Sequence, residues 1–318
     1  MVRHMFERDI DNPLIDAGRL SWPANSVFNA GATRLPDGDV LLLLRVEDRC
    51  GLSSLHVARS ADGRTNWSVE PTPLLGPEPD ELSAQWGYED ARIVWVPELE
   101  RFVITCTAFG SPGPCVFLAT TTDFRSIEER GVILPPEDKN AALFPRRLNG
   151  HWLLVHRPVV MTSGSADVWI SVSDDLWSWR QPQPVMLRRP GGWWDAARIG
   201  IGPPPIETEH GWLMLHHGVR QTMSGAIYRV GAAMLDLEEP TGVTHRLGHW
   251  VLSPTAPYER VGDVGNVVFP CGAIVVDDGT PQARLDLYYG AADTTVCRAT
   301  VHLETLIDAL LQEPNTGL

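Results

Sequence analysis

A short signature recurs along the chain and limits what it can fold into: Ala58-x-Ser60-x-Asp62, Ala119-x-Thr121-x-Asp123, Ser171-x-Ser173-x-Asp175 and Ala232 through Leu235 to Asp236, with a looser fifth instance ending at Asp293. The aspartates fall 61, 52, 61 and 57 residues apart, and Trp67 and Trp179 follow theirs at similar distances. Between signatures, short apolar runs alternate with turns. Val27-Phe28-Asn29-Ala30-Gly31-Ala32, the turn Leu35-Pro36-Asp37-Gly38-Asp39 and the run Val40 to Leu44 read as a hairpin. One segment breaks this grammar: Leu303, Leu306, Ile307, Leu310 and Leu311 recur at three- and four-residue spacing and predict a C-terminal helix over about residues 302–312. An all-β chain with a period of roughly 50 to 60 residues is expected to form a single five-bladed β-propeller over residues 1–318. The recurring aspartates read as turn residues.

In a propeller the innermost strands of all blades meet around one funnel, so polar residues scattered at blade-like intervals become one candidate site. Such residues are Asn29, Arg45, Glu47, Arg49, Glu89, Asp90, Arg92, Lys139, Asn140, Arg157, Asp195, Arg198, His217, Tyr228, Asp263 and Asp293. The cations among them point to an anionic ligand. That is notable because the chain carries a net charge of −14, which argues against nucleic acid or an anionic membrane as partner. Strand alternation sends Glu89 and Asp90 to opposite faces and places Arg92 beside Asp90, leaving Asp90 as the acid that faces a ligand. The same alternation separates His217, toward the funnel, from a structural His216. Asp195, with Trp193 and Trp194, reads either as a substrate-binding wall on the acceptor side or as part of a packing plug. Arg49 has the alternative of a surface ion pair with Glu47 or Asp48, and Tyr228 that of a packed aromatic.

Twelve Trp against five Tyr supply both core filler and platforms for sugar rings. Five Cys, odd in number and without C-x-x-C spacing, read as reduced thiols of a cytoplasmic protein. No apolar h-region follows Met1-Val2-Arg3-His4 and no apolar run of about 18 residues occurs, so neither a signal peptide nor a membrane span is expected. Metal-ligand spacings, a Ser nucleophile elbow, a Walker loop and a dinucleotide fingerprint are missing, so no metal or organic cofactor is expected. Composition leaves self-association into a homo-oligomer open.

Ordered motifs between about residues 12 and 300 resemble glycoside hydrolase family 130. They are Val27 to Gly31, Leu44-Arg45-Val46-Glu47-Asp48-Arg49, Tyr88-Glu89-Asp90-Ala91-Arg92, His156-Arg157-Pro158, Ile199 to Ile206, His217-Gly218-Val219, Gly262 to Pro270 and Tyr289-Gly290-Ala291-Ala292-Asp293-Thr294. The resemblance implies a five-bladed propeller that cleaves a β-mannoside with inorganic phosphate as co-substrate, with inversion, to α-mannose 1-phosphate and a free acceptor sugar. It implies Asp90 as general acid, working through the mannosyl 3-hydroxyl, and Asn29, Arg45 and Asp293 as holders of the mannosyl ring. Arg49, Lys139, Asn140, Arg157, Arg198, His217 and Tyr228 are implied around the phosphate. Ala91 stands where the family usually has Pro, and Lys139 and Arg198 are each exchanged for the other basic residue.

Inverting cleavage needs an acid for the leaving oxygen and a nucleophile on the opposite ring face. Water requires a second carboxylate as base, whereas phosphate arrives already anionic and needs a basic cradle. One well-placed acid with a cluster of cations favours phosphorolysis. The alternatives are a β-mannosidase of the same fold with Glu47 or Glu259 as base, and a non-catalytic glycan-binding propeller. Acting as an acid, Asp90 needs a raised pKa, which Arg92 on the same face opposes. The acceptor side is assigned to loops over residues 110–114, 161–166 and 255–260.

Overall fold

The computed structural model describes residues 5–160 and 164–313. Nearly all regular structure is antiparallel β, arranged as four hydrogen-bonded sheets. One sheet has eight strands and divides naturally in two. Its first run comprises Ser26–Arg34, Val40–Glu47, Ser53–Ser60 and Ser68–Val69; its second comprises Gly87–Val96, Arg101–Phe109, Cys115–Thr121 and Glu129–Leu134. A single parallel bridge, Ser53 to Gly87, joins the two runs. A third run is built on Asp138–Leu143, Trp152–Val160, Val168–Ser173 and Trp179–Met186, and a fourth on Arg198–Ile201, Gly211–Thr222, Gly225–Leu235 and Val243–Arg246. The fifth is Val268–Val276, Arg284–Ala291 and Thr295–His302, completed from the other end of the chain by Glu7–Arg8 and Ile15–Asp16, which both pair with Thr295–His302.

The opening strands bring these runs together. Ser26–Arg34 lies beside Gly87–Val96, which neighbours Asp138–Leu143, which neighbours Arg198–Ile201. Val268–Val276 contacts both Gly211–Thr222 and Ser26–Arg34, so the succession returns to its start. The hairpin expected over residues 27–44 is present, with Val40 to Leu44 buried throughout, as an uninterrupted apolar run requires of a strand covered on both faces.

The sequence signature is a turn that follows the third strand of each of the first four runs. Asp62 accepts the backbone N–H groups of Arg64 and Thr65, Asp123 those of Arg125 and Ser126, Asp175 those of Trp177 and Ser178, and Asp236 those of Glu238 and Glu239. The small hydroxyl residue two positions earlier completes the motif: Ser60 and Ser173 donate to their aspartates, and Thr121 Oγ1 accepts from Asp123 N–H. Trp67 and Trp179 repeat one contact, each indole N–H donating to the carbonyl three residues earlier. The fifth instance differs. Asp293 lies in the turn between the second and third strands of the last run and is not equivalent to the other four.

The C-terminal helix spans Leu303–Gln312, with His302 still in the preceding strand. Leu303, Leu306, Ile307 and Leu310 pack on Leu285, Leu287 and Val301 of the fifth run, while Leu311 turns outward. A part-buried ion pair ties the N-terminal strand of the fifth run to the segment between the fourth and fifth runs: Arg8 donates Nε and Nη2 to the carboxylate of Glu259, at 2.8 and 2.9 Å, and Nη2 also reaches the Ser253 carbonyl. Glu259 is wholly buried and also accepts the Thr255 and Ala256 amides and the Tyr289 hydroxyl. Removing one partner leaves the other charge buried and uncompensated. Arg8→Ala is therefore expected to lower stability by roughly 3 kcal/mol in denaturant unfolding, and Arg8→Lys by less.

Candidate active site

Three opening strands carry the same defect at the same place. In Ser26–Arg34 the ladder slips between Phe28 and Gly31, in Gly87–Val96 between Glu89 and Arg92, and in Asp138–Leu143 between Lys139 and Ala142. Each slip inserts one extra residue, and each contains a polar residue at positive φ: Asn29 at 47°, Asp90 at 50° and Asn140 at 53°. Asn and Asp tolerate this left-handed conformation best among residues with a side chain. The local sequences Asn29-Ala30, Asp90-Ala91 and Asn140-Ala141 share the pattern, an acid or its amide followed by Ala.

The bulge overturns the alternation argument for Tyr88 to Arg92. With an extra residue in the strand, Glu89 and Asp90 both line one cavity of about 210 Å³. Arg92 does not lie along the Asp90 carboxylate, nor does it turn to Glu47. It is buried and donates to backbone carbonyls, those of Asp90, Gly202 (3.0 Å) and Ile201 (3.3 Å).

One wall of the cavity is acidic and gathered by Arg45. This guanidinium donates Nη1 to Asp90 (3.2 Å), Nη2 to Glu89 (3.1 Å) and Glu47 (2.5 Å), and Nε to Ser53 Oγ (3.1 Å). Asn29 Nδ2 adds a bond of 2.8 Å to Asp90 Oδ1. Asn29 fits because Gly290 faces it: a Cβ there would stand 2.0 Å from Asn29 Oδ1. Burial pushes the Asp90 carboxyl up, but Arg45, Arg92, the Asn29 bond and Lys139 outweigh it and hold it below the usual carboxylate range. Glu89 moves the other way, raised by burial and by Asp90 and Glu47 against Arg45 and Lys139. Asp293 closes this side and is pushed up to about 7 by burial and the neighbouring Asp90 charge.

The opposite wall is basic. Lys139 and Arg157 are register partners across two strands of the third run, and Arg198 and His217 come from the fourth. Burial, reinforced by Arg198, lowers Arg157 to about 10. Burial also lowers Lys139, and it drives His217 well below its ordinary value, so this imidazole is neutral at pH 7. Gly200 makes the space: a Cβ would meet His217 Cε1 at 2.5 Å and Asn140 Nδ2 at 2.9 Å. Tyr228 and Phe269 flank His217, the Phe269 ring centroid 4.6 Å from it. Among the described residues, Arg157 Nε, Asn140 Oδ1, Asn29 Oδ1 and His217 Nδ1 are buried without a hydrogen-bond partner. Unpaired groups of this kind are costly in an empty protein interior and become satisfied when a polar ligand binds.

Ten of the twelve expected site residues thus meet: Asn29, Arg45, Asp90, Lys139, Asn140, Arg157, Arg198, His217, Tyr228 and Asp293. Asp195 is a correction. It is fully buried away from this cavity, its carboxylate taken by Arg189 (2.8 Å) and Arg246 (2.7 Å), so it holds a loop and not a ligand. Arg49 sits exposed in the turn after Val40–Glu47 and is not part of the cavity wall. His216 is structural as expected, stacked on Trp194 outside the cavity. Glu89, Val264, Val267 and Phe269 complete the lining. Glu89 escaped the alternation argument because a bulge cannot be seen in a strict period of two, though the repeated Asn/Asp-Ala pair marks it. A second cavity of about 450 Å³ adjoins, sharing Glu89, Lys139, Arg157 and Arg198 and adding Phe109, Gly113, Pro114 and Glu137. Of the loops expected on the acceptor side, residues 110–114 supply Gly113 and Pro114 here. Residues 161–163 lie outside the described residues, and residues 255–260 contain a short helix, Pro257–Arg260, with Glu259 buried in it.

Acids facing cations across a polar pocket, backed by two unpaired amide oxygens, make a site for a polar ligand that carries negative charge. The family model described as beta-1,4-mannooligosaccharide phosphorylase matches residues 19–312, and the chain belongs to that family, glycoside hydrolase family 130. It is an enzyme of the glycoside phosphorylase class. It is 35% identical over 309 residues to the beta-1,4-mannooligosaccharide phosphorylase of Ruminococcus albus, covering 93% of this chain and 88% of that one. It is 36% identical over 259 residues to the beta-1,2-mannobiose phosphorylase of Listeria innocua, covering 81% and 69%. The solved complex of the Listeria innocua beta-1,2-mannobiose phosphorylase with beta-1,2-mannobiose superposes with a TM-score of 0.86 at 31% identity, over 97% of this chain and 99% of that one.

The raised Asp293 gives a pH test. Its folded carboxyl holds a proton that the unfolded chain has already lost above the ordinary carboxylate range, so stability falls as pH rises from about 4 toward about 7. Asp293→Asn is expected to flatten that slope in unfolding curves taken across the interval. An unchanged slope would place the raised group elsewhere.

Proposed function

We propose that this chain is a single-domain five-bladed β-propeller that cleaves a β-mannoside with inorganic phosphate, inverting the anomeric centre to give α-mannose 1-phosphate and a shortened acceptor. The propeller reading rests on the five antiparallel runs, the return of their opening strands to the start, and the completion of the last run by the N-terminal strands. The observation that carries the activity is the basic wall. Burial and then the neighbouring Arg198 charge lower the proton affinity of Arg157, and buried Arg157 Nε has no partner among the described residues. A phosphate would neutralise this wall and satisfy its donors.

The mannosyl ring sits against Asn29, Arg45, Asp90 and Asp293, with Lys139, Asn140, Arg157, Arg198, His217 and Tyr228 around the phosphate. Arg49 stands in the turn above and joins the phosphate only if that turn folds inward. The leaving sugar occupies the adjoining cavity. Asp90 is the general acid, and its environment determines how it acts. An ionised Asp90 cannot donate, so it first takes up a proton from solvent in the substrate complex; it then passes that proton to the mannosyl 3-hydroxyl oxygen as this hydroxyl passes its own to the leaving oxygen. Bound phosphate raises Asp90 by like-charge repulsion and favours its protonation before the bond breaks. His217, neutral, donates to phosphate from one ring nitrogen without adding charge.

Hydrolysis would need a carboxylate free to activate water. Glu259 is sealed outside the cavity and Glu47 is engaged by Arg45 and Ser53, so neither expected base is at liberty. The five free cysteines, four of them buried, fit a reducing compartment such as the cytoplasm.

The test is a synthesis assay with α-mannose 1-phosphate and a panel of acceptor sugars, with phosphate release as the readout. Release with at least one acceptor is expected. Mannose formation from a β-mannoside at an equal rate without phosphate would establish hydrolysis instead. Asp90→Asn is expected to cut phosphorolysis by at least about 10²-fold while mannoside binding persists. Arg157→Ala is expected to weaken phosphate binding by roughly 10- to 100-fold, seen as a raised phosphate KM at a less altered mannoside KM.

A further inference from the structure

A second concave feature lies on the opposite face of the fourth run. In Gly211–Thr222, His217 faces the active site, while His216, Gly218 and Arg220 face the other way. There Trp194 packs against His216, and a Cβ on Gly218 would lie 2.4 Å from its ring. The groove above it, about 470 Å³, is lined by Trp193, Trp194, Trp250, Arg220 and His249.

Its aromatic rings are fixed before any ligand arrives. Arg189 lies 4.1 Å from the Trp193 ring centroid and Arg229 lies 4.3 Å from that of Trp250, while Trp194 donates its indole N–H to the Gly248 carbonyl. Arg189 is itself clamped by Asp195, which Arg246 holds from the other side. Yet Trp193 remains 39% exposed. A large ring held in place and left open is equipped for a ligand with a flat apolar face and polar edges. A pyranose has that shape: its C–H face stacks on indole, and its hydroxyls accept from Arg220 and His249. Arg220 brings a charge-bearing donor to the groove, and the adjacent carboxylate, Glu313, is held by the Gly248 amide and stands 3.9 Å from His249 Nε2, which suits a neutral ligand rich in acceptors.

The groove also connects to the reaction. Trp193 is five residues before Arg198, the exposed residue shared by both active-site cavities, a span of at most about 17 Å of chain. Arg220 follows Val219, which pairs with both Arg198 and Tyr228.

We propose that the Trp193–Trp250 groove is a distal subsite that holds the far end of a β-mannoside chain whose reactive end lies at Asp90. This rests on the mannoside reading above. It predicts that the enzyme favours chains over disaccharides. The test is calorimetric titration, without phosphate, of β-1,4- and β-1,2-linked manno-oligosaccharides of increasing length into the enzyme and into Trp193→Ala and Trp193→Phe. Affinity is expected to rise about tenfold with length in one linkage series, Trp193→Ala to abolish the rise, and Trp193→Phe to keep part of it. No gain with length, or an equal loss by Trp193→Ala for short and long chains, would overturn the subsite. Length-dependent binding without phosphorolysis would leave the groove standing and remove the assigned activity. Failure of every mannoside to bind would remove both.

Discussion

Three carboxylates converge on one guanidinium, and the acidic half of the site exists because of it. Glu47, Glu89 and Asp90 come from two different runs of strands, and without Arg45 their mutual repulsion at this burial would drive protons onto them or push the strands apart. Arg45 is held charged by the same three acids, against the burial that would discharge it. Its position is fixed from outside the cluster as well, by Ser53 and by stacking of its guanidinium 4.6 Å from the centre of the Phe28 ring. The geometry of Asp90 is therefore a property of two neighbouring runs together, set at the seam where Ser53 meets Gly87.

Much of this was legible in the chain and some was not, for identifiable reasons. The turn signature at Asp62, Asp123, Asp175 and Asp236 is local chemistry, an aspartate capping the amides just after it, so it survives in sequence and announces the period. Asp293 imitates the spacing by coincidence while doing different work. The polar residues of the site were found because motif and position agreed, yet Glu89 was sent to the wrong face. A strict period of two holds only while the ladder stays in register, and the bulge at Asp90 breaks it. Asp195 failed for another reason: a buried carboxylate with two arginines looks, in sequence, the same as one that binds a ligand, and only the positions of Arg189 and Arg246 separate them.

The two walls of the pocket solve opposite electrostatic problems. On the acid side an excess of carboxylates is neutralised internally, so Asp90 is ionised and Asp293 and Glu89 hold protons more tightly than usual. On the basic side, charge is left uncompensated, and the unpaired Arg157 Nε and His217 Nδ1 mark where compensation is missing. The first arrangement is balanced in charge without a ligand; the second is not. The acidic wall is thus matched to a neutral ligand and the basic wall to an anion, a division made by charge before any contact of shape.

The pairing of Arg8 with Glu259 has a consequence for how the molecule comes into being. Glu259 organises the segment that leads to Val264 and Val267 on the cavity wall, and it is satisfied by a residue contributed from the beginning of the chain. The two residues stand 251 positions apart, so neither finds its partner until the whole stretch between them has been made. The cavity wall runs on to Val264, Val267, Phe269 and Asp293, so a chain cut short before them carries Asp90 and most of the basic wall yet no finished site. A finished cavity thus doubles as a report that residues far apart in the chain have met.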